Sequence, residues 1–545
     1  MVSRRNLLRA SSAVPGLLAL SAEYARAADG WRQGDLIHLI PAANHNRFVI
    51  KCSFGSPRAE VSLTVNGRAY AGRHTDSDGR YFEFDIAGLE SDQRYELRLT
   101  DGTRPLTDPW PLATFPHPQA QPESVRLLAF TCAGGYPGMG EPGDEIFLPL
   151  ALRQRLLTRA LSFAPDAMIA IGDQIYWDQK TQLEHRAPQR SAATRAFYES
   201  VGMLDYSLPA TASSNEAAIK AACEPQIAHL YGVALRSTPS YFVGDDHDYF
   251  ENDEAWPTLV TLPPYAYQRA FARFSKALFL PEFLPDPKRP LLLSGVGAAD
   301  RGPGISEAFG TFRYGDLAEA LIYDCAGFLS LKGDAAGLVP PEVERWLLDR
   351  TADQSVRHLL HVPSHPMGWT AGKWREWYPD VAMSDGSEPA IARMDAQGEA
   401  VRLTTKQPKF MWQRGWWRQH QRLLEALGSQ AQREGFMLSG DLHATGHIRI
   451  DGSAGLELPR GVHSFLTGPL GTGTAWPSNA RGTPPLIASH LDVSSLAGVE
   501  EKNGFTIVDM TQQEITVRMF RWRRGESERA IDTLEPYHSF TARRS

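Results

Sequence analysis

Ala167-Met-Ile-Ala-Ile171, running into Gly172-Asp173-Gln174-Ile175-Tyr176, is the stretch on which the fold turns. Five apolar residues without polar alternation suit a strand covered on both faces, as in a parallel sheet. A glycine and a polar cluster then end it. Four other segments repeat the plan. Arg126-Leu-Leu-Ala-Phe130 runs into Thr131-Cys132-Ala-Gly-Gly135, and Ser240-Tyr-Phe-Val243 into Gly244-Asp245-Asp246-His247-Asp248. His358-Leu-Leu-His-Val362 runs into Pro363-Ser364-His365-Pro366, and Gly435-Phe-Met-Leu438 into Ser439-Gly440-Asp441-Leu442-His443. Ligands of α/β sheets bind beyond the carboxyl ends of the strands. Five such ends would gather Asp, His, Cys and Tyr donors in one cleft.

The surroundings agree. Leu152, Leu156, Leu157, Ala160 and Leu161 share one helical face. Pro340-Pro341 opens a second helix carrying Val343, Trp346 and Leu347 at i, i+3, i+4. Strands alternating with helices make 121–545 an α/β domain. Residues 178–238 read as a helical, irregular insertion.

Residues 28–120 have another texture. Phe48–Cys52, Val61–Val65, Tyr81–Asp85 and Tyr95–Leu99 are short strands, separated by Asn66-Gly67, Asp78-Gly79 and Asp101-Gly102. That spacing predicts a small N-terminal β-sandwich, and Gly88-Leu89-x5-Tyr95 resembles the late strands of fibronectin-III/Ig-like domains. Asp76-Ser-Asp-Gly79 reads as a hairpin turn, since no Glu follows where a calcium loop needs one. Prolines 109, 111, 116, 118 and 122 place a linker over Thr107–Gln121.

Residues 1–27 are read as a cleavable twin-arginine export signal: Ser3-Arg4-Arg5-Asn6-Leu7-Leu8, a mild apolar stretch, then Ala25-Arg26-Ala27. Its removal takes away a net +3 and moves the formal charge from −7 to −10. No later run approaches the roughly 20 apolar residues of a membrane span. The expected location is periplasmic or extracellular, with the twin-arginine machinery as export partner. No basic block points to nucleic acid. The four cysteines include no C-x-x-C pair and are too few for a disulfide scaffold.

The order of the strand ends resembles that of the calcineurin-like metallophosphoesterases, and its particular residues resemble the PhoD-like alkaline phosphatases. That branch has Cys in the first motif, Gly-Asp-x-x-Tyr in the second, Asp-Asp-His-acid in the third and Ser/Thr-Gly-Asp-x-His in the last. The resemblance spans about 124–520. It implies an α/β fold, an αββα metallophosphoesterase sandwich preceded by the small β-sandwich domain. It also implies hydrolysis of a small phosphoester by metal-bound hydroxide at a two-metal centre.

Residue by residue, Asp173 would bridge the metals. Cys132, Tyr176 and His443 would complete a ferric (Fe3+) site. Asp246, Asp441 and His365 would hold a second divalent ion, calcium by family. An imidazole at position 365 suits Zn2+ or another borderline ion better. His247 takes the catalytic slot. Asp248 is read either as orienting that imidazole, or as a further ligand or surface charge. The resemblance withdraws Cys132 from any disulfide and leaves at most one bridge among Cys52, Cys223 and Cys325.

The chemistry fits the residues. Two cations neutralise the phosphate oxygens and acidify a water. A hard trivalent ion favours carboxylate and phenolate oxygens, and a coordinated cysteine is a thiolate. Three softer features remain open. Trp369, Trp374, Trp377, Trp412, Trp416 and Trp417 either rim the cleft or pack under a loop. Lys373 and Arg375 are candidates for phosphate contact, and Asn252-Asp253 for an added ligand. Gly468-x-x-Gly471-x-Gly473 reads as a loop, not a P-loop. Two alternatives stand beside the phosphatase reading. One is a phosphodiesterase for phospholipid, nucleotide or cell-wall polymer diesters. The other is an exported binding protein with a degenerate metal site.

Overall fold

The computed structural model describes residues 30–137, 144–177, 199–250, 262–290, 293, 305–330, 333–371, 414–453, 455–480, 484–488 and 491–543. Residues 1–27, read above as an export signal, lie outside them, as do Trp374, Trp377, Trp412, Lys373, Arg375, Asn252 and Asp253.

The N-terminal part is two antiparallel sheets. One orders Leu36–Ala43, Arg47–Phe54, Tyr81–Ala87 and Arg73–His74. The other orders Arg68–Ala71, Ser62–Val65, Arg94–Asp101 and Arg104–Pro105, with Trp110–Ala113 also on Arg94–Asp101. Alternate residues of both sheets meet in one core: Phe48, Ile50 and Phe84 from the first, Leu63, Leu97, Leu99 and Trp110 from the second. The Asn66-Gly67 and Asp101-Gly102 turns need a residue at positive φ, and Gly67 (84°) and Gly102 (57°) supply it. The expected linker is shorter than the prolines suggest. Trp110–Ala113 is a strand, and Pro111 is tolerated because this strand pairs on one side only.

The rest is a four-layered sandwich. A six-stranded sheet orders Ser240–Val243, Ala167–Ile171, Ser124–Thr131, Asn503–Thr511, Glu514–Trp522 and His538–Arg543. A seven-stranded sheet orders Phe309–Tyr314, Ala318–Tyr323, His358–Pro363, Gly435–Ser439, Leu456–Thr467, Thr445–Ser453 and Leu491–Glu500. The motif-bearing strands run parallel within each sheet.

Period-2 alternation builds the layers. In Ser124–Thr131, Leu127 and Ala129 face the opposite sheet, while Leu128 and Phe130 face the outer helices. In Ala318–Tyr323, Ala320 and Ile322 face inward and Leu321 and Tyr323 outward. Helix Leu150–Leu161 covers the six-stranded sheet with Leu152, Leu156, Leu157 and Ala160. Helix Pro341–Ala352, with proline in its first turn, covers the seven-stranded sheet with Val343, Trp346 and Leu347.

Two expectations are sharpened here. The described part of 178–238 belongs to the outer layer. Helix Ser213–Cys223 buries Ala218, Ile219 and Ala222 in the core over the six-stranded sheet. Of the tryptophans, Trp369, Trp416 and Trp417 are buried in the core over the seven-stranded sheet, so for these three the packing reading holds.

Candidate metal centre

The five strand ends converge. Thr131 fastens three of them: its Oγ1 donates to the Ile171 carbonyl at 2.5 Å and accepts the Asp441 N–H at 3.2 Å. Gly440 permits that approach, since a Cβ there would lie 2.1 Å from Thr131 Oγ1.

Around this knot the backbone is unusual. Cys132 (φ 46°), Asp173 (56°), Asp441 (69°) and His443 (47°) all sit in the left-handed region without being glycine. Each such residue costs about 1–3 kcal/mol and persists where the surroundings impose it, most often at functional sites.

The side chains form two groups, linked through Asp173 and Asp246. Cys132, Asp173 and His443 bring one donor atom each within 4.8 Å of one another. Tyr176 joins them: its hydroxyl lies 3.2 Å from Asp173 Oδ2 and 3.0 Å from His443 Nε2. Cys132 Sγ is 3.3 Å from the same Asp173 oxygen. Asp245, Asp246 and Asp441 make the second group, and Asp173, Asp246 and His247 connect the two, again within 4.8 Å. All of these residues are buried except His247, which is half-buried with its ring 3.9 Å from that of Tyr176, centroid to centroid.

Supporting contacts fix the donors. His443 Nδ1–H donates to the Ala475 carbonyl at 2.7 Å, which leaves the Nε2 lone pair to accept from the Tyr176 hydroxyl or to bind a metal. Ala475 follows two residues after the glycine-rich stretch read as a loop. That stretch donates the Gly471 N–H to the Cys132 carbonyl at 2.8 Å, so it builds part of the site. Burial first, and the Asp173 charge next, push the Cys132 thiol well above its usual pKa. So many anionic donors in a buried space are unfavourable without a compensating cation. The donor set itself therefore fits metal binding.

Three sequence expectations need adjusting. The described hydrogen bonds of Asp248 run to the backbone. Its carboxylate accepts the backbone N–H groups of Asp173, Gln174, Ile175 and Asp245 at 2.9–3.1 Å, because the short 3-10 turn His247–Tyr249 aims it back at the two loops. His365 is buried beside Asp441, Nδ1 to Oδ2 3.7 Å, but joins none of the three-residue groups among the described residues. Asp245 was missed as a donor, although it stands next to Asp246 in the same acidic run.

No protein-family profile matches the chain, and no curated protein matches it in sequence. Solved structures do. PhoD superposes with a TM-score of 0.56 over 93% of this chain and 90% of its own, at 12% identity. The fold is that of PhoD. Purple acid phosphatase PPD1 from yellow lupin (Lupinus luteus) seeds superposes with a TM-score of 0.51, over 94% of this chain and 74% of its own, also at 12% identity. The PhoD fold places the parallel strand ends of both sheets at one mouth, where the donors described above meet.

Proposed function

We propose that this chain is an exported, metal-dependent phosphoester hydrolase working at a two-metal centre. The observation that carries the reading is the position of Asp173, grouped with Cys132 and His443 beside Tyr176 and also with Asp246, which belongs to the Asp245–Asp246–Asp441 group. Phosphatase chemistry in the lupin neighbour, and the fold shared with it, support the same reading.

Cys132, Tyr176, His443 and Asp173 would hold the first ion, for which Fe3+ suits a thiolate–phenolate–carboxylate set. Asp173, Asp245, Asp246 and Asp441 would hold the second. The three carboxylates of the second group suit a hard divalent ion such as Ca2+, while His365, with Nδ1 3.7 Å from Asp441 Oδ2, would suit Zn2+ if it ligates. When bound, such a pair supplies positive charge against the phosphate oxygens and acidity for the attacking water.

The chain's own residues do the rest. His247, the least buried member, meets the substrate and donates a proton to the departing oxygen. Its ring is steadied by the Tyr176 ring beneath it. Asp248 holds the second and third loops together through their N–H groups. The Ala475 carbonyl keeps His443 in one tautomer.

Elemental analysis of the purified chain, with rates on aryl phosphate mono-, di- and triesters, tests this. Two metal equivalents per chain are expected. Asp173→Asn should abolish hydrolysis. A metal-free chain, or full activity in that variant, removes the proposal. The mono- to diester ratio separates phosphatase from phosphodiesterase.

A further inference from the structure

Gln226 lies between helix Ser213–Cys223 and the short helix Ala228–Tyr231, 1% exposed and uncharged. Its amide makes three good hydrogen bonds. Oε1 accepts the N–H of Gly135 at 2.8 Å and the N–H of Tyr176 at 2.9 Å, while Nε2 donates to the Ala222 carbonyl at 2.9 Å. One oxygen thus joins the loop that follows Cys132 to the loop that carries Tyr176.

The same loop is held on its other side. Arg153, fully buried on helix Leu150–Leu161, donates from Nη1 to the carbonyls of Ala133, Gly134 and Gly135 at 2.6–3.1 Å. Arg153 takes the carbonyls and Gln226 takes the N–H, so neither clamp replaces the other. Two direct backbone bonds also join the loops: Cys132 N–H to Gly172 O at 3.3 Å and Gly134 N–H to Asp173 O at 3.0 Å.

Gln226 is itself held from the N-terminal sandwich. Lys220 Nζ, on the preceding helix, meets Asp76 at 2.7 Å, Asp78 at 2.8 Å and Glu216 at 2.6 Å. Glu224 accepts the Tyr81 hydroxyl at 2.5 Å and Arg80 Nη2 at 2.9 Å. The Asp76–Tyr81 turn therefore grips both ends of the segment that leads into Gln226. The space a calcium ion would take in that turn is filled by the Lys220 ammonium.

We propose that Gln226 is a positioning residue of the metal centre, setting the spacing of Cys132 and Tyr176, and that the sandwich turn holds it in place. The inference rests on the two-metal reading. Groups that orient first-sphere ligands typically change metal affinity by about 10–100-fold when lost.

The test is a Co2+ titration of the full chain after chelation, followed in the visible and near-ultraviolet where thiolate and phenolate ligation absorb. Gln226→Met keeps the volume and loses all three bonds. It should weaken Co2+ binding about 10–100-fold and shift the band, while the melting temperature of the metal-free chain stays within a few degrees. Gln226→Glu retains an oxygen for both N–H groups and should recover most of the affinity. Should Gln226→Met fail to fold, Gln226→Asn, whose amide is one methylene short of the loops, should show the same weakening. Wild-type affinity and band in Gln226→Met, or in Gln226→Asn if that is the variant measured, overturn the inference. A wild-type chain that binds no Co2+ brings down the metal centre itself, a different failure from a variant that binds as well as wild type.

Discussion

The carboxylate of Asp248 receives the backbone N–H of Asp173 at 3.0 Å, so the residue beside the proposed proton donor fixes the proposed bridging ligand. It also accepts the N–H groups of Gln174, Ile175 and Asp245. Burial raises its pKa to about 6, against the pull of Lys276 and the N–H groups of Asp245 and Ile175.

Asp248→Ala should leave those four donors buried and unanswered. The expected results are a loss of about 10–100-fold in hydrolysis and a drop of several degrees in melting temperature. A variant with full activity would show that the loops hold their shape unaided. Asp248→Asn, which offers one oxygen where two are used, should fall between.

The strand ends were legible because burial on two faces forbids polar alternation, so an apolar run followed by acids and histidines stands out. Ala167–Ile171 and Gly435–Ser439 sit within a residue of where the pattern puts them. The sandwich strands were legible from their turns. Gln226 and Arg153 were not. A glutamine between helices and an arginine on a helix carry no mark of three-way bonding, and both act on backbone atoms that only tertiary contact brings near. The role of Asp248 stayed open in the sequence, between orienting His247 and serving as a ligand or surface charge, for a related reason. Adjacency to His247 suggested partnership, but in a 3-10 turn neighbouring side chains point apart.

Acid should weaken the fold through buried histidines. His38 packs between the sandwich and helix Ala266–Phe279, with Nε2 donating to the Phe279 carbonyl at 3.2 Å and Nδ1 accepting from Ser53 at 2.6 Å. Burial lowers its pKa from 6.5 to about 3, and His361 is lowered to about 3 in the same way. Both are neutral when folded and charge on unfolding. Their contribution is complete above pH 6.5 and is lost as pH falls toward 3, at up to about 1.4 kcal/mol per pH unit for each. Melting temperature measured from pH 7.5 to 4 should fall, and less steeply in His38→Gln. Equal slopes for the two proteins would exclude His38 as a contributor.

Cys52, Cys132, Cys223 and Cys325 are all buried, and none is in a disulfide. Reductant should therefore leave the melting temperature unchanged. A chelator should lower it, because ions bound only by the folded chain stabilise it by mass action. A larger effect of reductant than of chelator would contradict both the cysteine states and the metal centre.

Lys220 offers a test of how firmly the sandwich is joined to the layer behind the site. Its ammonium is buried with Asp76 and Glu216, and only Asp78 reaches solvent to any extent. Lys220→Met removes one charge and strands two buried carboxylates, a change that typically costs about 3–5 kcal/mol. Neutralising a carboxylate as well should recover part of that loss. In Lys220→Met with Glu216→Gln, the new amide oxygen still accepts from Ser77, as Glu216 does at 2.9–3.0 Å. Denaturant unfolding of the single and double variants gives the coupling. A double variant less stable than Lys220→Met would mean that Glu216 is held by Ser77 rather than by Lys220, and that the turn grips the helix through hydrogen bonds rather than charge.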